Sequence, residues 1–160
     1  MRADEEFLRN TIDAQETIQY NASKVPYPED RVHHFVHCVL DGKKLLVPGA
    51  AAAWAAMRMA AGDDGVALLM VSAFRSVDYQ ASLIRAKLAK GRMIDDILMV
   101  NAPPGCSEHH TGRAVDIGEA GCPPLEEAFD QTEAFRWLSR NAARYGFTMT
   151  YPKGNAEGYL

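Results

Sequence analysis

The sequence predicts one domain of the α+β class, in which a small antiparallel sheet is flanked by helices. Strand-like apolar runs alternate along the chain with longer segments of helical pattern, so both kinds of element are expected. Asp41-Gly42 between two apolar segments is typical of a hairpin, and a hairpin makes its two strands antiparallel. The 160 residues, 48% of them hydrophobic, suit a single core, and the predicted domain therefore spans residues 1–160.

Four segments are predicted to be helical: 4–19, the alanine-rich 50–61, 79–90 and a last helix that begins at Pro123-Pro124. Gly62 is expected to stop the second helix and Gly91 the third. Ser76 or Asp78 can cap the N-terminus of the third helix. The last helix carries an apolar stripe, with a break expected around 130–132. We interpret the stripe as core: Leu125, Phe129, Phe135, Leu138, Ala142 and Tyr145.

Strands are predicted at 34–40, 43–47, 66–71, 114–117 and 147–151. The run 66–71 is continuously apolar and lies between Gly65 and Ser72, which favours a buried strand. The segment 114–117 alternates in polarity, and this pattern predicts a half-buried strand. A rigid connector with two prolines, at 25–28, precedes the first strand.

Composition and charge argue against several classes of function. The net charge of −4, the pI near 5.7 and the scattered Lys and Arg residues do not suit a nucleic-acid-binding protein. No segment approaches the roughly 18 apolar residues of a membrane span, and residues 1–20 lack the apolar core of a secretion signal. Cys38, Cys106 and Cys122 are widely spaced, so we interpret them as free thiols. We expect a cytoplasmic monomer, or a periplasmic or cell-wall protein if a leader has been removed.

The stretch 107–116, which reads Ser-Glu-His-His-Thr-Gly-Arg-Ala-Val-Asp, is the most informative part of the chain. Gly112 permits a tight turn or a positive φ between His109 and Asp116, and such a turn would bring the carboxylate back towards the imidazole. Zinc binds neutral histidine nitrogen and carboxylate oxygen, and hydrolytic zinc sites use three protein ligands. His109 and Asp116 are therefore candidate zinc ligands. The alternative is a loop histidine followed by an ordinary aspartate at a strand end.

Arg75 follows the predicted strand 66–71 and is the candidate group for binding an oxyanion. A buried strand would give the arginine a rigid support, and its planar guanidinium can hold a carboxylate or an oxyanion. The alternative is a surface arginine where the strand leaves the sheet.

Two motifs together resemble those of the VanY-type D-alanyl-D-alanine carboxypeptidases, which are zinc peptidases of bacterial cell-wall metabolism. Residues 72–80 fill every fixed position of S-[GA]-[YF]-R-S-x-x-x-Q, and residues 107–116 fill every fixed position of S-x-H-x-x-G-x-A-x-D. The likeness extends from about Val47 to the C-terminus. It implies the fold that this family shares with the VanX-type dipeptidases and the hedgehog signalling domain.

The resemblance also implies a function and a role for each motif residue. The function is zinc-dependent hydrolysis of a D-alanyl-D-alanine-type bond, and the partner is a peptidoglycan-derived peptide. His109 and Asp116 become the zinc ligands, and Arg75 the catalytic group that steadies the substrate and the developing oxyanion. Ser107 would hold the terminal carboxylate of the substrate, and Gln80 would brace the site. If the two residues have no role in the site, Ser107 caps a turn and Gln80 lies on a solvated helix face.

Family members also carry E-x-W-H, which supplies a glutamate for proton transfer and the third zinc histidine. No Trp-His pair occurs before Leu160, so we expect both groups to lie beyond it. The 160 residues alone are then expected to bind zinc weakly and to turn over little substrate.

Several other residues could substitute for the missing groups, and none has supporting spacing. His110 is expected on the opposite side of an extended backbone from His109, either exposed or behind the site. In the first predicted strand, His33 and His37 would share one side and His34 the other. The possible bases are Glu108, Glu119 and Glu157.

Two other functions remain open on the same motifs. One is a hydrolase of another peptidoglycan link, either an L,D-carboxypeptidase or an L-alanyl-D-glutamate endopeptidase. The other is a non-catalytic binding module, if the chain truly ends at Leu160.

Overall fold

The computed structural model describes the backbone of residues 36–37 and all of residues 44–124 and 127–152. The helices described there are α1 (Pro48–Asp63), α2 (Val77–Ala89), α3 (Ile94–Leu98) and α4 (Glu133–Asn141). The strands are β1 (Val36–His37), β2 (Leu45–Leu46), β3 (Leu69–Ser72) and β4 (Asp116–Gly118). Short 3-10 helices are η1 (Glu108–Thr111), η2 (Glu127–Gln131) and η3 (Ala142–Tyr145). Helices together with antiparallel strands confirm the predicted α+β class.

The described residues form two compact units. Unit 1 contains residues 75–111 and 151–152, and unit 2 contains residues 36–37, 44–74, 112–124 and 127–150. The strands β1 to β4 lie in unit 2, whereas α2, α3 and η1 lie in unit 1. The domain boundaries at 1 and 160 stay a prediction, and the predicted helix 4–19 and connector 25–28 lie outside the described residues.

The first strand pair of unit 2 is the predicted hairpin. Strands β1 and β2 are antiparallel, with Val36 opposite Leu46 and His37 opposite Leu45. The predicted turn at Asp41-Gly42 lies outside the described residues. The pairing confirms a strand at Val36–His37, within the predicted 34–40.

The second strand pair of unit 2 contains an irregularity. Strand β3 runs antiparallel to β4, with Met70 opposite Ile117 and Ser72 opposite Asp116. Val71 is therefore an extra residue in β3, as in a β-bulge. A bulge bends its strand and changes the direction of the side chains beside it.

Helix α1 is longer than predicted at both ends. It begins at Pro48, which suits the first helical position because proline has no N–H group to leave unpaired. It ends in a Schellman motif around Gly65, whose φ is +78°. The Val66 N–H donates to the Ala61 carbonyl at 2.8 Å, and the Gly65 N–H donates to the Gly62 carbonyl at 3.0 Å. The predicted stop at Gly62 was wrong, since Gly62 lies within the last turn.

This helix end displaces the predicted strand at 66–71. Val66 belongs to the cap of α1, so β3 begins only at Leu69. The side chain of Leu69 is 40% exposed whereas Met70 is buried, and β3 is therefore not buried on both faces. Its partner strand β4 also begins later than predicted, at Asp116 instead of residue 114.

The predicted strand at 147–151 was wrong. Residues 147–152 contain no strand in the described part of the chain. Gly146, with φ of +79°, ends η3 in the left-handed conformation. The Phe147 N–H then donates to the Ala142 carbonyl at 3.2 Å, so Phe147 closes the preceding helical turn.

The core of unit 2 combines residues from strands and helices: Leu46, Trp54, Met57, Ala61, Leu68, Met70, Ala73, Ala134 and Trp137. Burying a large apolar side chain stabilises a fold by about 1.5 to 3 kcal/mol. The predicted stripe contributes partly buried residues around this core: Phe129, Leu138, Ala142 and Tyr145. Phe135 contacts Phe129 edge to face, with ring centroids 5.9 Å apart.

The predicted break in the last helical segment is confirmed at Thr132. Its hydroxyl accepts the Phe135 N–H at 3.1 Å, which caps α4 and separates it from η2. The Trp137 indole N–H donates to the Asp64 carboxylate at 2.7 Å and so joins α4 to the end of α1. Trp137 and Ala134 were not predicted as core residues.

Unit 1 is built on α2 and α3, whose contact buries Ile84, Ile97 and Leu98. The predicted cap of α2 is confirmed, because the Ser76 hydroxyl accepts the Tyr79 N–H at 3.1 Å. The predicted stop is also confirmed, because Gly91 has φ of +81° and donates its N–H to the Leu88 carbonyl. Every helix in the described part of the chain is too short or too polar to span a membrane.

Candidate active site

Arg75 is tied through its main chain to the 3-10 helix η1. Its N–H donates to the His109 carbonyl at 3.2 Å, and its own carbonyl lies 2.7 Å from Nδ1 of His110. The capping of α2 by Ser76 fixes the chain immediately after Arg75. Two motifs that are more than thirty residues apart are thus joined in unit 1 by hydrogen bonds.

Gln80 braces the side chain of Arg75. It is buried within α2, and its Oε1 accepts from Nη1 of Arg75 at 3.2 Å. Its Nε2 donates to the Ala102 carbonyl at 2.7 Å. Gln80 therefore does not lie on a solvated helix face, which was the alternative to a bracing role. The carboxamide connects the arginine to the loop at 101–105.

Ser107 and His109 are both buried, with 2% and 3% of their surface exposed. They lie at the start of η1, where the Ser107 carbonyl accepts the His110 N–H at 3.0 Å. The Thr111 hydroxyl donates to the Glu108 carbonyl and closes the same turn. The turn holds the predicted substrate-binding serine and the predicted zinc-binding histidine on one short rigid segment.

His110 is buried, which excludes one of the two positions expected for it, the exposed one, and leaves the position behind the site. An extended backbone was expected to direct it away from His109, but residues 108–111 form a 3-10 helix instead. Its side chain is fully buried, and its Nε2 accepts the Gly105 N–H at 3.0 Å. Two glycines in the sequence, Gly105 and Gly112, could have indicated a turn here, because they flank the segment and both have positive φ.

Asp116 is the first residue of β4 in unit 2, half-buried and opposite Ser72. The predicted glycine turn before it is confirmed, since Gly112 has φ of +67°. The Gly112 carbonyl accepts the Val47 N–H at 3.0 Å, which fixes this turn against the segment before α1. The position of the carboxylate is thus set by the turn on one side and by the bulged strand pair on the other.

Lys87 lies near two other cations of unit 1, Arg92 and Arg75. Burial lowers the pKa of Lys87 below its ordinary value of 10.5, and the nearby charges of Arg92 and Arg75 lower it further. Nζ of Lys87 donates to Oδ1 of Asn101 at 3.0 Å. A surplus of positive charge favours anions, such as a peptide carboxylate or a developing oxyanion.

The residues considered as substitute groups are placed as follows. Glu119 caps α4, because its carboxylate accepts the Ala134 N–H at 2.8 Å. Glu108 is half-buried in η1. The remaining candidates, namely His33, His34, the side chain of His37 and Glu157, lie outside the described residues.

The donor types present fit zinc, which binds imidazole nitrogen and carboxylate oxygen. Within 44–124 and 127–152 there is no group of three or more His, Cys, Asp or Glu side chains arranged to hold a metal. Cys106 and Cys122 form no disulfide, as predicted, and Cys38 lies outside the described residues. The described residues therefore offer His109 and Asp116 as candidate ligands and no complete ligand set.

Comparisons with known proteins identify the family. Residues 43–159 match the VanY family model, described as D-alanyl-D-alanine carboxypeptidase. A Bacillus subtilis (strain 168) protein named as a carboxypeptidase, YodJ, is 36% identical over 118 residues, which are 72% of this chain and 42% of that protein. The chain thus spans less than half the length of this relative.

Two solved structures share the fold. The LdcB LD-carboxypeptidase is 30% identical with a TM-score of 0.65, and the match covers 84% of this chain and 62% of that one. A vancomycin-resistance D,D-pentapeptidase, VanY, solved in complex with Zn(II), is 26% identical with a TM-score of 0.65, over 84% of this chain and 77% of that one.

The matched region contains both motifs and every helix and strand described above except β1. It covers well over half of the chain. The chain therefore belongs to the VanY family of D-alanyl-D-alanine carboxypeptidases.

Proposed function

We propose that the chain is the catalytic part of a zinc-dependent carboxypeptidase that hydrolyses D-alanyl-D-alanine-type bonds in peptidoglycan peptides. The observation that carries the proposal is the fixed position of Arg75. Its main chain is bonded to the segment of His109 and His110, and its guanidinium is bonded to Gln80. An arginine held from both ends is preorganised for an oxyanion, which is the electrostatic requirement of peptide hydrolysis.

His109 and Asp116 are the proposed zinc ligands. The residue types suit the metal, and the VanY structure of the same fold contains Zn(II). When bound, zinc would supply a Lewis acid that lowers the pKa of a water molecule to about 7 and polarises the scissile carbonyl.

Arg75 acts on the substrate as a cation with a planar fork of N–H donors. It binds the oxygen of the scissile carbonyl more strongly as negative charge grows there, which lowers the barrier rather than only the KM. Gln80 keeps the guanidinium in one orientation, since its Oε1 occupies one N–H donor. The entropy of ordering the arginine is thus lost on folding and not during catalysis.

Ser107 is the proposed contact for the terminal carboxylate of the peptide. It is 98% buried at the start of η1, where a hydroxyl hydrogen bond to a bound anion would be sheltered from water. The positive field from Arg75, Lys87 and Arg92 would favour the same carboxylate.

A second candidate is an L,D-carboxypeptidase, which removes the terminal D-alanine from a tetrapeptide. The likeness to the LdcB LD-carboxypeptidase favours it, because identity there is 30%, against 26% for the D,D-pentapeptidase at the same TM-score. The two activities differ in the stereochemistry of the residue before the scissile bond.

The experiment is a product assay on defined muropeptides with the purified complete protein and zinc, because the 160 residues alone are expected to turn over little substrate. A pentapeptide ending in D-alanyl-D-alanine, the corresponding tetrapeptide and an all-L pentapeptide are incubated separately, and products are identified by mass spectrometry. Release of D-alanine from the pentapeptide alone supports the first proposal, and release from the tetrapeptide supports the second. Cleavage between L-alanine and D-glutamate would replace both with an endopeptidase.

A chelator provides the control for metal dependence. Activity should disappear after treatment with a chelator and return when zinc is added back, because the proposed chemistry needs a Lewis acid. Activity that survives complete removal of zinc would contradict the zinc proposal. Tight peptide binding without any product would indicate a binding module instead.

A further inference from the structure

His110 has no role in the function proposed above, although it is the most enclosed polar residue described in unit 1. None of its surface is exposed, and both ring nitrogens lie at hydrogen-bond distance from main-chain groups. One group is the N–H of Gly105 in the loop before η1, and the other is the carbonyl of Arg75. A buried imidazole with two main-chain contacts on separate segments can hold those segments in register.

The chemistry of its partners fixes the tautomer of the ring. An amide N–H can only donate, so Nε2 must carry a lone pair to accept from Gly105 at 3.0 Å. A carbonyl oxygen can only accept, so Nδ1 must carry the hydrogen that is donated to Arg75 at 2.7 Å. The two contacts therefore fit the tautomer with the ring hydrogen on Nδ1.

We infer that His110 is a positioning residue, which holds the main chain of Arg75 and the loop at 101–105 in their places for catalysis. The inference rests on the proposed function, because it needs Arg75 to act on the substrate. The Arg75 carbonyl is held by His110 while its N–H is held by the His109 carbonyl. Both main-chain groups of the arginine are thus bound to one turn of η1.

The loop contact extends the same effect to the side chain of Arg75. Gly105 and Ala102 belong to one short loop, and the Ala102 carbonyl accepts from the carboxamide of Gln80 at 2.7 Å. Gln80 in turn holds Nη1 of Arg75. His110 therefore reaches the arginine by two routes, directly through its main chain and indirectly through the loop and Gln80.

Two conservative variants separate the two bonds of the ring. In His110→Asn the amide nitrogen can take the place of Nδ1 and still donate to the Arg75 carbonyl. In His110→Gln the amide oxygen can take the place of Nε2 and still accept from Gly105, but the donor to Arg75 is lost. The two variants are matched in chemistry and differ in which contact survives.

The direct route to Arg75 is expected to dominate. The kcat of His110→Gln should fall on the order of 10- to 100-fold, because a small displacement of a preorganised group costs that much in rate. KM and zinc content should change little, and His110→Asn, which loses only the indirect route through the loop, should lose less kcat than His110→Gln. Equal kcat losses in both variants, or a loss confined to KM, would overturn the inference.

An NMR measurement on the unchanged protein tests the inference without using activity. Long-range ¹H–¹⁵N correlations of the histidine rings should show His110 with hydrogen on Nδ1 and a bare Nε2, and the Gly105 amide should move downfield through its hydrogen bond. The opposite tautomer would overturn the inference even if the enzyme is active. If the protein hydrolyses no peptide but His110 shows the expected tautomer, the proposed function is contradicted. The NMR result then still decides whether His110 makes its two main-chain hydrogen bonds. If either variant fails to fold, the NMR result decides.

Discussion

Arg75 combines a planar guanidinium bonded to Gln80 with a main chain bonded to η1. Lys87 carries charge but no planar fork, and its Nζ is bound to Asn101. Arg75 can thus be tested by substitutions that separate its charge from its geometry.

In the complete protein we expect Arg75→Ala to lower kcat by about 100- to 1000-fold, since it removes a preorganised donor for the oxyanion. Zinc content, measured by atomic emission, should stay unchanged because Arg75 is not a proposed ligand. Arg75→Lys should recover part of the loss through its charge alone. Normal turnover by the alanine variant would remove Arg75 from the mechanism.

Lys87 gives a prediction about pH. Its pKa is lowered in the folded protein by burial and by Arg92 and Arg75, so the unfolded chain holds this proton more tightly. Between the lowered pKa and 10.5 the unfolded state binds more protons, and the contribution of Lys87 to stability therefore rises with pH across that window.

The rise should be missing in Lys87→Met, which keeps the aliphatic stem and loses the charge. Free energies of unfolding in urea at neutral pH and above pH 10 measure it, with Lys90→Met as the matched loss of an exposed lysine beside α2. An identical pH slope in the unchanged protein and Lys87→Met would contradict the prediction.

The individual residues that could be predicted from the sequence are those whose chemistry defines a motif. Arg75, Gln80, Ser107 and His109 were chosen by residue type and spacing, and the structure joins the segments that carry them in unit 1. The burial of His110 could not be predicted, because residues 108–111 form a 3-10 helix. Side chains of adjacent residues point in other directions on a 3-10 helix than on an extended backbone.

Among the elements, the end of α1 shows how a cap decides where a strand starts. Gly65 adopts φ of +78°, and a Cβ at this position would meet no atom within 4 Å. Any cost of a side chain there is therefore conformational and not steric. Gly62 is also free of neighbours within 4 Å but lies inside the helix, where no positive φ is required.

We expect opposite effects from alanine at these two glycines. Gly65→Ala should lower the free energy of unfolding by about 1 to 2 kcal/mol, the cost of a left-handed L-residue. Gly62→Ala should raise it by about 0.5 to 1 kcal/mol, because alanine loses less backbone entropy within a helix. Urea denaturation of both variants checks the pair, and the same sign in both would contradict the assignment of the cap.

Element types were more predictable than element ends. Strong local signals located the cap at Ser76 and the stop at Gly91, and both are confirmed. The apolar run at 66–71 misled because hydrophobicity does not reveal that Val66 bonds back to Ala61. The segment 147–151 failed for the same reason, since Phe147 bonds back to Ala142.

For the molecule as a whole, the core of unit 2 depends on contacts between residues far apart in sequence. Trp137 is 4% exposed, stacks on Tyr145 with ring centroids 6.2 Å apart, and donates to Asp64. The apolar stripe predicted the helix but not this tryptophan, because its importance depends on where α1 ends. Long-range pairing of this kind has no local signal in the sequence.

We expect Trp137→Phe to lower the free energy of unfolding by about 1.5 to 3 kcal/mol, through loss of a hydrogen bond to a charged group and of buried area. Asp64→Asn keeps an oxygen acceptor for the indole and should cost less than about 1 kcal/mol. Thermal and urea unfolding of both variants provide the measurement. A larger loss in the asparagine variant would show that charge, and not the bond, holds α4 to α1.

The extra residue in β3 implies that chain length is constrained there as strictly as residue type. Val71 has no partner position of its own opposite β4, and a Cβ at Gly118 would come within 3.0 Å of its Cγ2. Removing Val71 would restore regular alternation and turn the following residues to the other side of the sheet. A protein with every proposed ligand intact, but shortened by this one valine, should lose activity, because the deletion reverses the side of β3 on which Ser72 and the residues leading to Arg75 lie.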